Sequence, residues 1–192
     1  MTPTNKQAPR TKRWWPGILV GVFLTAVCVL ASGFMIEVTN TDTFCVTCHV
    51  MKPFRTAWRR APHGGANAKG VVAQCVDCHL PHGGFVEYVA AKAYTGTRDI
   101  VLNMVIDPET YDWIGHSQSR REFTYDNACR SCHQNLMPEG MRTSGIMAHR
   151  QYLTGTIDKQ CVDCHEHVGH KDMITEINKY YGKNELAAGK PQ

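Results

Sequence analysis

The pentapeptide Cys-x-x-Cys-His occurs four times in this chain, at Cys45–His49, Cys75–His79, Cys129–His133 and Cys161–His165. Few sequence features narrow a fold so sharply. Two thiols at this spacing, with a histidine directly behind them, are what covalent attachment of a c-type haem requires. Cys45 and Cys48 would add to the two vinyl groups of one porphyrin. Cys75 with Cys78, Cys129 with Cys132, and Cys161 with Cys164 would each take another, and the histidine behind each pair can swing onto the iron. A structural zinc site needs four ligands from cysteine and histidine and has no use for a histidine behind every second cysteine. A disulfide framework has no use for the histidines at all. The pentads take eight of the nine cysteines and leave only Cys28.

Four porphyrins on a 192-residue chain cannot surround an ordinary core. The apolar interior should be largely porphyrin, wrapped by short helices and loops, so the expected class is mainly α with extensive loops. The formal net charge is +4, with much of the excess in the first thirteen residues. The rest is near balance, which does not point to nucleic acid.

Residues 1–13 are polar and basic (Lys6, Arg10, Lys12, Arg13), and an uncharged run of 23 residues follows from Trp14 to Ile36. As a helix that run would cross a hydrocarbon layer of about 30 Å. Trp14 and Trp15 sit where an interfacial aromatic belt belongs, and the basic flank predicts a cytoplasmic N-terminus. The chain then reads as a cytoplasmic segment 1–13, a transmembrane anchor 14–36 and a periplasmic domain 37–192 on the inner membrane. The competing reading is a signal peptide cleaved near Val29-Leu30-Ala31, but the apolar run is longer than the hydrophobic region of such peptides. Cys28 then lies inside the membrane.

Further on, Pro53 and Pro62 bracket a short helical segment, and Gly64-Gly65 permits close backbone approach beside His63. Apolar residues at helical spacing predict a helix over 85–106, stopped by Asp107-Pro108. Lys92 and Asp99 are seven residues apart on it, two turns, hence on one face. A short helix is expected around Tyr111–Ile114, a Met/Gly-rich loop after the third pentad (Met137, Met141, Met147), and one or two amphipathic turns after Lys171.

The pentads start 30, 54 and 32 residues apart, so a pair, a longer connector and a second pair follow one another. His63 lies twelve residues before Cys75, and His149 twelve before Cys161. Both second pentads read Cys-Val-Asp-Cys-His. A duplicated dihaem unit, with halves at about 37–106 and 107–175, accounts for these matches. It nominates His63 and His149 as second axial ligands, and His170, five past His165, as a third; His167 and His82 are weaker candidates, and His116 has no assigned role. Four irons need eight axial ligands, and these residues leave one iron short. A substrate could approach there.

The anchor, the four pentads, their spacing and Cys-Val-Asp-Cys-His ahead of a late histidine together resemble the NapC/NirT/NrfH family of membrane-anchored tetrahaem quinol dehydrogenases. The likeness covers nearly the whole chain. It implies four covalently attached haem c groups and a quinol substrate. By the resemblance Met51, rather than His49, ligates the first haem, while His79, His133 and His165 are proximal ligands of the others. The family's cross-over pattern gives His170 to the second haem, His63 to the third and His149 to the fourth. Lys92 and Asp99 resemble the pair that lines the quinol pocket at the membrane surface, Asp99 lying over the open side of the first haem. Asp99 would accept a proton and Lys92 would hydrogen-bond a quinol oxygen. The expected acceptor is a periplasmic multihaem reductase, a pentahaem cytochrome c nitrite reductase first. The alternatives are periplasmic nitrate reductase, several acceptors in parallel, or a passive anchored conduit with no quinol site. A terminal reductase is disfavoured, because the chain has no Cys-x-x-Cys-Lys haem.

Overall fold

The computed structural model describes residues 14–182. The basic stretch 1–13 and residues 183–192 lie outside the described residues. The chain divides after Thr39 into two compact units.

The first unit carries α1, Trp15–Thr39. Its 25 residues span about 38 Å at the rise of an α-helix. It is apolar on every side and buries none of its residues, which suits lipid better than water. The helix runs past the uncharged stretch to include Glu37, and Thr39 Oγ1 donates to the Met35 carbonyl at 2.7 Å.

The second unit is mainly α with extensive loops. Its helices are α2 Asp42–Cys45, α3 Lys52–Arg59, α4 Val76–His79, α5 Phe85–Val105, α6 Trp113–Ser117, α7 Arg120–Phe123, α8 Asp126–Cys132, α9 Thr143–Leu153, α10 Cys161–Cys164 and α11 Met173–Tyr180. Among the described residues no strand forms, and one isolated antiparallel bridge joins Gly64 to Val72. Most helices are one or two turns. Alone they would not persist in water; they are held by capping, by long-range hydrogen bonds and by what they enclose.

Two expectations shift. The short helix of the connector starts at Trp113 rather than Tyr111, because the Asp112 side chain accepts from the Gly115 amide at 2.9 Å and caps it there. The Met/Gly-rich segment expected as a loop contains α9, which carries Met147 and His149. Its opening Thr-Ser-Gly hides the helix at the sequence level. Tertiary contact fixes it instead: Tyr152 Oη donates to Asp126 at 2.7 Å.

The buried apolar set among the described residues is small: Ala57, Trp58, Ala61, Leu80, Ala128 and Ile177. So few side chains could not stabilise a domain by themselves. The best-packed contact joins α3 to α11. Ile177 is 1% exposed. The Lys171 amide donates to the Ala57 carbonyl at 3.1 Å. Arg60 pairs with Glu176, a buried carboxylate that would be costly without its partner. The last of the described helices is thereby clamped to the segment between the first two pentads. Ile177→Ala should destabilise the domain by about 3 kcal/mol, read as a lower thermal midpoint of the haem-loaded protein; an unchanged midpoint would show that this clamp contributes little.

Candidate functional site

The second and fourth pentads are capped in the same way. In the sequence Gln-Cys-Val-Asp-Cys-His, the aspartate turns back to cap its own short helix. Asp77 accepts from the Gln74 amide at 2.8 Å, and Asp163 from the Gln160 amide at 2.7 Å. The aspartate three residues before the preceding pentad is bonded across to this sequence, through its backbone amide in one case and its carboxylate in the other. The Asp42 amide donates to Gln74 Oε1 at 3.3 Å, and Asp126 Oδ1 accepts from the Cys161 amide at 2.9 Å. The first cysteines of successive pentads lie next to each other, Cys45 by Cys75 and Cys129 by Cys161. None of the eight pentad cysteines is in a disulfide, and none is fully buried. They are thiols available for thioether formation.

The histidines come together in pairs. His63 stands against His133 with ring centres 5.8 Å apart, His79 against His170 at 6.1 Å, and His149 against His165 at 6.2 Å. Two imidazoles bound to opposite sides of one metal, with bonds of about 2 Å each, have ring centres about 6 Å apart. Among the described residues no three of His, Cys, Asp or Glu converge on a bare ion. The donors come in twos, which suits an iron whose other four bonds are to a porphyrin.

Backbone carbonyls orient three of these rings. His63 Nδ1 donates to the Val168 carbonyl at 3.1 Å, His79 Nδ1 to Phe123 at 2.6 Å, and His170 Nδ1 to Phe54 at 3.1 Å. A carbonyl only accepts, so the proton sits on Nδ1 and the lone pair is left on Nε2, the atom needed for a metal. Burial pushes His79 below its usual pKa, and pulls His170 down to about 4, with His79 adding to the effect. Both rings are neutral at physiological pH, the form that ligates. His149 Nδ1 is buried with no hydrogen-bond partner among protein groups. Such an orphaned nitrogen is costly in a dry interior.

Gly64 follows His63 and packs its α-carbon on the Trp58 carbonyl, where a Cβ would collide. Gly65 has φ +102°. Asn67 holds the ensuing loop through Nδ2, which donates to the Pro62 and Val71 carbonyls at 2.7 Å. The two glycines thus let the chain fold back and fix His63.

His49 is the exception among the pentad histidines: it is exposed, as His133 and His165 are, but among the described residues no ring packs against it. Met51 ends the same 3-10 turn and is 37% exposed. The remaining histidines stand elsewhere: His82 Nδ1 donates to the Leu80 carbonyl, His116 stacks on Tyr111, and His167 is exposed.

A separate polar cluster lies on α5. Tyr88, Lys92 and Asp99 share one face at spacings of four and seven. Lys92 Nζ and Tyr88 Oη both donate to Asn40 Oδ1, each at 2.7 Å. Burial lowers the pKa of the Lys92 ammonium; only a negative charge at Cys45 would oppose that shift. Its bond to Asn40, five residues before Cys45, ties Lys92 to the segment that leads into the first pentad. Asp99 keeps an exposed edge, yet burial of its carboxyl raises its pKa, opposed by Arg98 and then by His79. The helical rise puts Lys92 and Asp99 about 10 Å apart along the axis. Asn40 and Tyr88 escaped sequence reasoning. Tyr88 could have been found one turn before Lys92; Asn40, 52 residues away from it, carries no local signal.

Residues 9–175 match the family model "NapC/NirT cytochrome c family, N-terminal region". The tetraheme c-type cytochrome CymA of Shewanella oneidensis is 32% identical over 167 residues, covering 80% of this chain and 88% of CymA. The cytochrome c-type protein NapC of Paracoccus pantotrophus is 26% identical over 170 residues, covering 80% of this chain and 68% of NapC. The cytochrome c-type protein TorC of Escherichia coli K12 is 26% identical over 181 residues, which are 90% of this chain but only 45% of TorC. No solved structure matches.

Replacing His170 separates attachment from ligation. His170→Ala should keep four porphyrins by intact mass, because the thioethers do not depend on it, and should convert one low-spin haem signal to high spin in electron paramagnetic resonance. A spectrum identical to that of the unsubstituted protein would remove His170 from the ligand set.

Proposed function

The chain belongs to the NapC/NirT cytochrome c family, and from that premise we propose that this membrane-anchored tetrahaem cytochrome oxidises a membrane quinol. Menaquinol is the preferred substrate, and the electrons pass to a periplasmic reductase. The observation that carries the reading is the cluster on α5, where Lys92 is held by Asn40, five residues before Cys45 of the first pentad, with Asp99 two turns further along the same face.

Quinol oxidation releases two electrons and two protons. The haems, bound through the eight pentad cysteines, supply one-electron acceptance and no proton chemistry. The proton work falls to side chains. Asp99, with its carboxyl pKa raised by burial, is suited to take a proton from a quinol hydroxyl. The Lys92 ammonium would hydrogen-bond the quinol oxygen and hold the charge that develops there. Met51 would hold the first haem in place of His49, and methionine ligation would favour a higher potential there. His79 with His170, His63 with His133, and His149 with His165 would cap the other three.

Export fits this chemistry. The basic residues ahead of α1 stay in the cytoplasm by the positive-inside bias, so the haem domain faces the periplasm across the inner membrane. For the acceptor we put a pentahaem cytochrome c nitrite reductase first. The names of the relatives keep other periplasmic acceptors in view, since one is a NapC and another a TorC.

Asp99→Asn keeps the shape and removes the base. Quinol-dependent haem reduction should fall by about 100-fold, with all four haems still attached and still reducible by dithionite. Reduction by quinol at the unsubstituted rate would instead support an anchored conduit that takes its electrons from another membrane protein.

A further inference from the structure

We infer that Asn40 is the positioning residue of the quinol site: its amide oxygen, shared between Lys92 Nζ and Tyr88 Oη, sets where the Lys92 ammonium stands. This rests on the reading of Lys92 as a quinol-binding group. The geometry is compact. Tyr88 and Lys92 are one turn apart on α5, so their polar ends lie on the same face. Both ends converge on one oxygen, at 2.7 Å each. A carbonyl oxygen has two lone pairs and can accept both bonds. The amide orientation is not ambiguous, because an ammonium only donates and must therefore face the oxygen rather than the nitrogen.

A lysine on a flexible four-carbon stem is a poorly placed point charge unless something fixes its head. Asn40 is itself fixed by the stretch that carries the first pentad. Next to it, Thr41 caps α2 by accepting from the Phe44 amide at 3.2 Å. Asp42 then takes Arg55 Nε at 2.6 Å and is tied through its amide to Gln74. The segment Asn40-Thr41-Asp42 therefore links the lysine to Cys45, the residue that would carry the first haem. Burial already works against the charged form of Lys92, and a neutral amide oxygen supports the cation without neutralising it. An aspartate in this place would form an ion pair and draw the ammonium away from a substrate oxygen.

The test is a double-mutant cycle on the full-length protein in menaquinone-free liposomes, with four haems checked by mass and quinol-dependent haem reduction followed with a soluble menaquinol analogue. Asn40→Ala should lower kcat/KM by about tenfold and Lys92→Met by at least about tenfold, while Asn40→Ala added to Lys92→Met should change it by less than about twofold. Restoring the amide as Asn40→Gln should recover part of the loss. Asn40→Ala with the unsubstituted rate, or a further tenfold loss on the Lys92→Met background, overturns the positioning role, the latter being what a fold-stabilising contact would give. Should Asn40→Ala fail to mature with four haems, Tyr88→Phe carries the same cycle from the other donor, with a loss of about threefold expected beside lysine and none beside methionine. Lys92→Met with the unsubstituted rate would sink the quinol reading of Lys92 itself, a result distinct from a failure confined to Asn40.

Discussion

An imidazole that meets an iron from the far side of a porphyrin must come from another part of the chain, and that constraint organises this domain. His63 faces His133, 70 residues later, and His79 faces His170, 91 residues later. Both pairs join the first dihaem half to the second. His149 and His165 close within the second half. With so small a buried apolar set, these cross-links and the porphyrins they would hold take the part that a hydrophobic core plays elsewhere. Backbone carbonyls at Val168, Phe123 and Phe54 fix the rings, so the loops that carry those carbonyls would belong to the surroundings of the haems.

Matching positions of the two pairs of pentads make matching contacts, as Asp77 with the Gln74 amide and Asp163 with the Gln160 amide. Asp42 with Gln74, and Asp126 with Cys161, join successive pentads by related bonds. Asp42 is held by Arg55, whereas Asp126 is held by Tyr152. The first half adds the long helix α5 with Tyr88, Lys92 and Asp99, and the second half has no counterpart of it. The asymmetry at the first pentad, an exposed His49 with no facing ring and a cluster of polar groups next to Cys45, lies on that same side of the repeat.

The parts legible in the sequence were those with a fixed local spacing. The pentads, the apolar run of α1 and the periodicity of α5 all depend on neighbours within a few residues. The matched offsets of His63 and His149 extended this reach, because a repeat compares one stretch with another. What stayed hidden depends on contacts across long separations. α9 is begun by Thr-Ser-Gly, a weak helix former, and is held by Tyr152 and Asp126. Asn40 gave no sign of its bond to Lys92, since an asparagine just past an apolar helix is an ordinary place for a polar residue. The role of Gly64 was half visible: its freedom was expected, but the Trp58 carbonyl it rests on was not.

The central claim is an unequal ligand set, three irons between paired imidazoles and one at the first pentad that is not. Near-infrared magnetic circular dichroism of the oxidised, full-length protein resolves these classes by their charge-transfer bands. The account predicts bis-histidine intensity for three haems, with the fourth outside that class. Intensity equivalent to four bis-histidine haems would contradict it.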